Sequence, residues 1–170
     1  MTTNAADLRY SYNEEDFEGP HSTQKFPLGY LACVESENGE YLNVYMYGKA
    51  GAAQLNAYQP HQRDAGFEFI PIRDNTNYIP LFVPQFNIGP NQYGFALYKG
   101  KGKANVRSGP SGVVNGTYFT ARLNIPEFFD GTNTNMSESQ YGTALEPMNV
   151  GETKVIDVHM MGRSERLYPT

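Results

Sequence analysis

Residues 26–47 have the sequence FPLGYLACVESENGEYLNVYMY, which predicts two β-strands joined by a tight turn. Asn38-Gly39 stands at its centre, and these two residues favour the positive φ angles of a type I′ turn. With Asn38 and Gly39 as the two loop residues, the register of the hairpin is fixed. The stretch therefore predicts an antiparallel hairpin in which Cys33 lies opposite Val44.

The same register divides the hairpin side chains between two faces. We expect the core face to carry the pairs Leu31–Met46, Cys33–Val44 and Glu35–Leu42. The other face carries Tyr30–Tyr47 and Ala32–Tyr45, and its aromatic character suits a half-buried or partner-facing surface.

The remaining chain also favours short strands. Its 170 residues include 17 Gly, 11 Pro, 13 Tyr and 10 Phe, and no long segment keeps helical periodicity. Strands are predicted at 67–72, 78–83, 93–98, 103–107, 117–123 and 153–161, with a hairpin tip at 99–102 and a loop at 128–140. The fold class is therefore all-β, a small β-barrel or sandwich of short antiparallel strands.

The first 25 residues are polar and acidic, and such a composition cannot bury enough to fold alone. We expect residues 1–25 to form an extended acidic N-terminal arm and residues 26–170 to form a single β domain. The N-terminus lacks the features of a secretory signal, and no apolar run reaches the length of a membrane span, so we expect cytoplasmic synthesis and no membrane partner.

Charge is distributed unevenly along the chain. The formal net charge of −5 argues against nucleic acid as a partner. The segment between Asn75 and Pro126 nevertheless holds no acidic residue. Its basic residues are Lys99, Lys101, Lys103, Arg107 and Arg122. An acidic arm and a basic segment favour contact with complementary surfaces, although an ordinary mixed surface explains the pattern equally well.

No motif indicates catalysis, a cofactor or a metal. Cys33 is predicted to be buried and unreactive. His21, His61 and His159 have no ligand spacing, and His159 with Asp157 lacks a nucleophile. A calcium loop at 130–138 is disfavoured because Gly131 stands second rather than sixth. We therefore expect a binding or structural protein without enzymatic activity, cofactor or metal.

Tyrosine and lysine supply the candidate contact residues, since exposed tyrosine is a frequent interface anchor. Protein contact and simple β-propensity account for the tyrosines about equally, and sugar binding ranks behind both. The predicted partner-binding residues are Tyr10, Tyr12, Phe17, Tyr30, Tyr45, Tyr47, Lys99, Lys101, Lys103 and Arg107.

Several segments together resemble the head decoration (cement) proteins of tailed bacteriophages. The resemblance covers residues 26–163 as a pattern rather than through one specific motif. It rests on the hairpin running into 45–53, on 92–100 followed by 103–106, and on 141–146, 151–153 and 155–163.

This resemblance implies a structural virion protein that binds the outer surface of the capsid lattice and stabilises it by bridging capsid subunits. The implied partners are the major capsid protein and further copies of the chain, as a trimer or dimer. A receptor- or glycan-binding β module of a phage tail or fibre is the alternative.

Overall fold

The computed structural model describes residues 12–35, 39–73, 80–130 and 140–162. Their regular structure is a short 3₁₀ helix, Glu14–Phe17, and ten strands. The strands are β1 (Leu31–Glu35), β2 (Leu42–Lys49), β3 (Gln62–Arg63), β4 (Phe69–Ile70), β5 (Val83–Pro84), β6 (Tyr93–Arg107), β7 (Tyr118–Thr120), β8 (Phe128–Asp130), β9 (Gly142–Ala144) and β10 (Thr153–Met161).

Five of these strands close into a barrel. The ring runs β6–β10–β9–β7–β8 and returns to β6. Four of its pairings are antiparallel, whereas β8 pairs with β6 in parallel, with Val106 opposite Phe128. The predicted all-β class is confirmed, and the architecture is a small barrel with additional strands. The predicted loop at 128–140 is wrong at its start, since residues 128–130 form β8.

Side chains fill the barrel, so its interior is a packed core. The inward residues, none more than 1% exposed, are Leu97, Ala104, Val106, Phe119, Phe128, Ile156, Val158 and Met160. Full burial of large apolar groups around one axis holds the ring of short strands together.

β6 is the longest strand and joins the barrel to a side sheet. Its first half pairs with β2 and β5, and its second half pairs with β10 and β8. The predicted hairpin tip at 99–102 is therefore wrong, because these residues lie in mid-strand. Gly100 accommodates this continuity at φ +107°, a conformation that side chains disfavour.

Side-chain amides complete the edge of β6 between its strand partners. The Asn43 amide donates to the Lys101 carbonyl (3.1 Å) and accepts from the Lys101 N–H (2.8 Å). The Gln85 amide likewise donates to the Lys103 carbonyl (3.0 Å) and accepts from the Lys103 N–H (2.9 Å). The Tyr58 carbonyl accepts from the Asn105 N–H at 2.7 Å. These contacts replace the missing strand ladder and keep the lysine segment extended.

The hairpin register is confirmed, with Leu31 opposite Met46 and Cys33 opposite Val44. The assignment of its core face is correct at Met46, which is 3% exposed within a core cluster, and wrong at Leu31, Cys33 and Leu42. Ala32 and Tyr47 are fully buried, whereas Leu31 is 46% exposed and Cys33 is only half-buried. The aromatic face is the core face, since aromatic rings bury the largest areas and find partners here.

Those partners include the N-terminal segment. Phe17 stacks on Phe95 with ring centroids 4.5 Å apart, and Tyr12 donates to the Cys33 carbonyl at 2.8 Å. Residues 12–25 of the expected arm therefore pack on the side sheet, and residues 1–11 lie outside the described residues. Within the described ranges, no helix is long and apolar enough to cross a membrane.

Candidate functional site

The predicted basic residues stand on the outside of the barrel. Ala104 and Val106 point inward, so the alternating Lys101, Lys103 and Arg107 point outward, and all three are exposed. Lys99 is also exposed. The four cations thus share one face of β6, although no hairpin tip presents them.

Two of these four cations are already paired. Lys103 lies 3.1 Å from Asp157, and this hydrogen-bonded carboxylate raises the pKa of the Lys103 ammonium. Arg107 lies 2.8 Å from Glu127, whose side chain is only 9% exposed. Among the described residues, no carboxylate lies within ion-pair distance of Lys99 or Lys101. These two lysines therefore carry the uncompensated positive charge of the face.

Two transverse rows of side chains cross the neighbouring strands here. One row is Cys33, Val44, Lys99 and Met161, on β1, β2, β6 and β10. The second row is Lys101, His159, Thr143 and Tyr118, on β6, β10, β9 and β7. Strands lie about 4.8 Å apart, so each row of four spans about 14 Å. The exterior is thus one continuous surface of mixed apolar and basic character.

Tyr41 extends the second row, because its ring centroid lies 5.0 Å from that of His159. Tyr118 at the far end is 45% exposed. Asp157 and His159, considered together from the sequence, have separate neighbours: Lys103 for the carboxylate and Tyr41 for the imidazole.

The predicted aromatic contact residues that the structure describes, unlike the basic residues, do not lie on the barrel exterior. Tyr12, Tyr30 and Tyr47 are buried, at 5%, 9% and 0% exposure, so these side chains lie inside the subunit and not on its surface. Phe17 and Tyr45 are half-buried against the same cluster. Tyr10 lies outside the described residues. The tyrosines of this segment mostly build the core of the side sheet.

A polar network anchors the N-terminal segment beneath these rings. His21 Nδ1 lies 2.9 Å from the Tyr47 hydroxyl, and the Asp16 carboxylate lies 3.6 Å from Lys25 Nζ and 3.9 Å from His21 Nε2. Burial raises the pKa of Tyr47 and lowers that of His21. Nothing in the sequence indicated this network, since its members are separated by up to 31 positions.

The other candidate reactive groups take structural positions. His61 is buried, and its Nδ1 lies 2.8 Å from the Gln59 carbonyl. Across the described part of the chain, no three His, Cys, Asp or Glu side chains come together as a metal site would require. The exterior face is therefore the best-developed candidate site.

Buried neutral histidines should make stability depend on pH. Burial lowers the pKa of His61 and of His21 below the ordinary 6.5. The unfolded chain then binds more protons than the folded chain below pH 6.5, so the free energy of unfolding should fall as the pH drops from 7 to 5. Each histidine contributes a slope of at most about 1.4 kcal/mol per pH unit. Urea titrations of wild type and His61→Gln should show a shallower dependence in the variant, and equal slopes would contradict this role.

No protein-family model and no curated protein sequence matches this chain. Among solved structures, the chain is similar to the crystal structure of the N base of head fiber gp8.5 of bacteriophage phi29. The TM-score is 0.44 at 15% sequence identity, and the match covers 73% of this chain and 99% of that one. A likeness at this level leaves the function of this chain to be established from its own residues and surfaces.

Proposed function

We propose that this chain is a structural virion protein that binds the outer surface of a phage capsid lattice and stabilises it by bridging capsid subunits. One observation carries the proposal: the uncompensated charge and the exposed apolar side chains meet on a continuous exterior formed by β1, β2, β6 and β10. A filled barrel suits such a role, since it presents that exterior on a rigid body.

The proposed partners are the major capsid protein and further copies of this chain, as a trimer or dimer on the virion surface. Nucleic acid and membrane are not proposed, because the net charge is −5 and two of the four cations on β6 are already paired. No enzymatic activity, cofactor or metal is part of the proposal. The sequence resemblance to phage decoration proteins supports the same role.

Stabilisation of the lattice is tested by adding the purified protein to undecorated heads assembled from the capsid protein encoded in the same genome. Bound protein should sediment with the heads and raise the temperature at which they dissociate. Heads that bind the protein but break at an unchanged temperature would remove the stabilising role. Heads that fail to bind it would remove the proposal altogether.

The alternative is a receptor- or glycan-binding module of a tail or fibre. The row from Lys101 to Tyr118, with Tyr41 against His159, favours it, because aromatic rings and hydrogen-bonding groups alternate along about 14 Å. Binding to immobilised cell-surface oligosaccharides that Tyr118→Ala abolishes would select this alternative over capsid attachment.

A further inference from the structure

A sheet face of the hairpin and barrel has apolar side chains that the described residues leave uncovered. We call it the basic apolar face; it consists of Leu31, Leu42, Val44, Lys99, Lys101 and Met161. Three of its apolar side chains are well exposed: Leu31 at 46%, Leu42 at 51% and Met161 at 43%. Apolar groups gathered on one face, unlike scattered ones, mark an interaction surface.

The face also has a place for an anchoring side chain. Beside Leu31 and Met46 lies a groove of about 210 Å³, bordered by Arg63, Pro80, Phe82 and Tyr98. Its lining is mostly apolar, and Met46, one of the lining residues, is 3% exposed. Such a pocket at the margin of an exposed face accepts one apolar side chain of a partner.

The charge of the face selects among partners. Lys99 stands between Val44 and Met161 in one row, and Lys101 follows two residues later. Neither lysine has a carboxylate within ion-pair distance among the described residues, whereas the flanking Lys103 is paired with Asp157. One carboxylate, Glu35 opposite Leu42, lies at the end of the face.

We infer that the basic apolar face docks on a protein surface that presents acidic residues around an exposed apolar side chain. The apolar anchor fills the groove, and the acidic groups meet Lys99 and Lys101. The inference rests on the proposed function, in which that surface belongs to a capsid subunit. A lipid surface fits less well, because polybasic membrane sites gather four to eight cations and this face has two without partners.

A first test maps the face without any capsid. The probes are decyl sulfate, which joins an apolar chain to an anion, and decyltrimethylammonium as its cationic match, both below micelle formation. Amide NMR shifts with decyl sulfate should concentrate on 31–46, 80–82 and 98–101, and the cationic probe should give weaker shifts there. Equal shifts with both probes, or shifts centred on Val114 and Val150, which are 66% and 64% exposed, would overturn the inference.

A second test uses the heads described above. Leu42→Ser with Lys99→Glu should weaken head binding at least about tenfold, as the loss of an apolar contact and a charge pair predicts. Val114→Ser with Lys154→Glu is the matched control and should bind as wild type. If wild type binds and the control pair weakens binding instead, docking uses another face while the capsid role stands.

If wild type fails to bind heads, the capsid role fails, and the probe map still decides whether the face accepts an anionic apolar ligand. A third test measures binding to vesicles of phosphatidylcholine with 30% phosphatidylserine. Binding to these vesicles that Lys99→Glu abolishes would replace the protein partner with an anionic membrane and overturn the inference. Melting temperatures of all variants should match that of wild type, since each substituted side chain, at Leu42, Lys99, Val114 or Lys154, is exposed.

Discussion

Gly100→Ala should lower the free energy of unfolding by about 3 kcal/mol, the sum expected of a disfavoured backbone angle and an overpacked site. Gly100 has φ +107°, and an added Cβ would contact Asn43 Oδ1 and lie 2.8 Å from the Leu42 carbonyl oxygen. The substitution should therefore also displace the amide that holds Lys101. Urea denaturation followed by circular dichroism measures the effect.

Gly116→Ala provides the matched control. Gly116 also has a positive φ, +88°, but nothing lies within 4 Å of the position of an added Cβ. Only the backbone cost of about 1 kcal/mol should remain. Equal losses in the two variants would mean that residues 99–102 form a solvated turn, as the sequence had indicated, and that β6 is not continuous.

Phe95→Ala should cost about 3–5 kcal/mol, the range for removing a buried phenylalanine side chain. Phe95 is 1% exposed and contacts the rings of Phe17, Phe26 and Tyr47 at centroid distances of 4.5, 5.2 and 4.9 Å. The ring of Phe95 is the one on which Phe17 of the N-terminal segment stacks. Hydrogen exchange should therefore become faster across residues 12–25 as well as in β6.

Tyr118→Ala is the control for this variant, because Tyr118 is 45% exposed on the barrel exterior. Its substitution should lower the free energy of unfolding by less than about 1 kcal/mol. If Phe95→Ala leaves exchange in residues 12–25 unchanged, the segment is held by the His21 and Asp16 contacts rather than by ring packing.

Local patterns along the chain were sufficient to predict several elements. The Asn38-Gly39 pattern predicted the observed pairing of β1 with β2, and the alternation of residues 153–161 predicted β10 with its observed bounds. Both predictions depend on neighbouring residues alone. The choice of core face failed because alternation shows only that two faces differ. What covers each face is decided by distant residues such as Phe17 and Phe95.

The lysine segment failed for a related reason. Lys99-Gly100-Lys101-Gly102 has turn chemistry, but β6 continues through it because the Asn43 and Gln85 side chains bond its backbone across 58 and 18 positions. No local signal marks these amides as substitutes for a strand. The four predicted basic residues lie on the barrel exterior, but Lys103 and Arg107 are paired there. Three apolar members of the face, Leu31, Leu42 and Val44, had been assigned to the core.

Cryo-electron microscopy of undecorated heads incubated with the purified protein would show whether the chain binds the outside of the shell. We expect added density at regular lattice positions on the outside of the shell, into which the barrel fits with Lys99 and Lys101 turned toward capsid subunits. Treated heads that look the same as untreated heads, at protein concentrations well above the concentration of lattice sites, would contradict binding to the capsid.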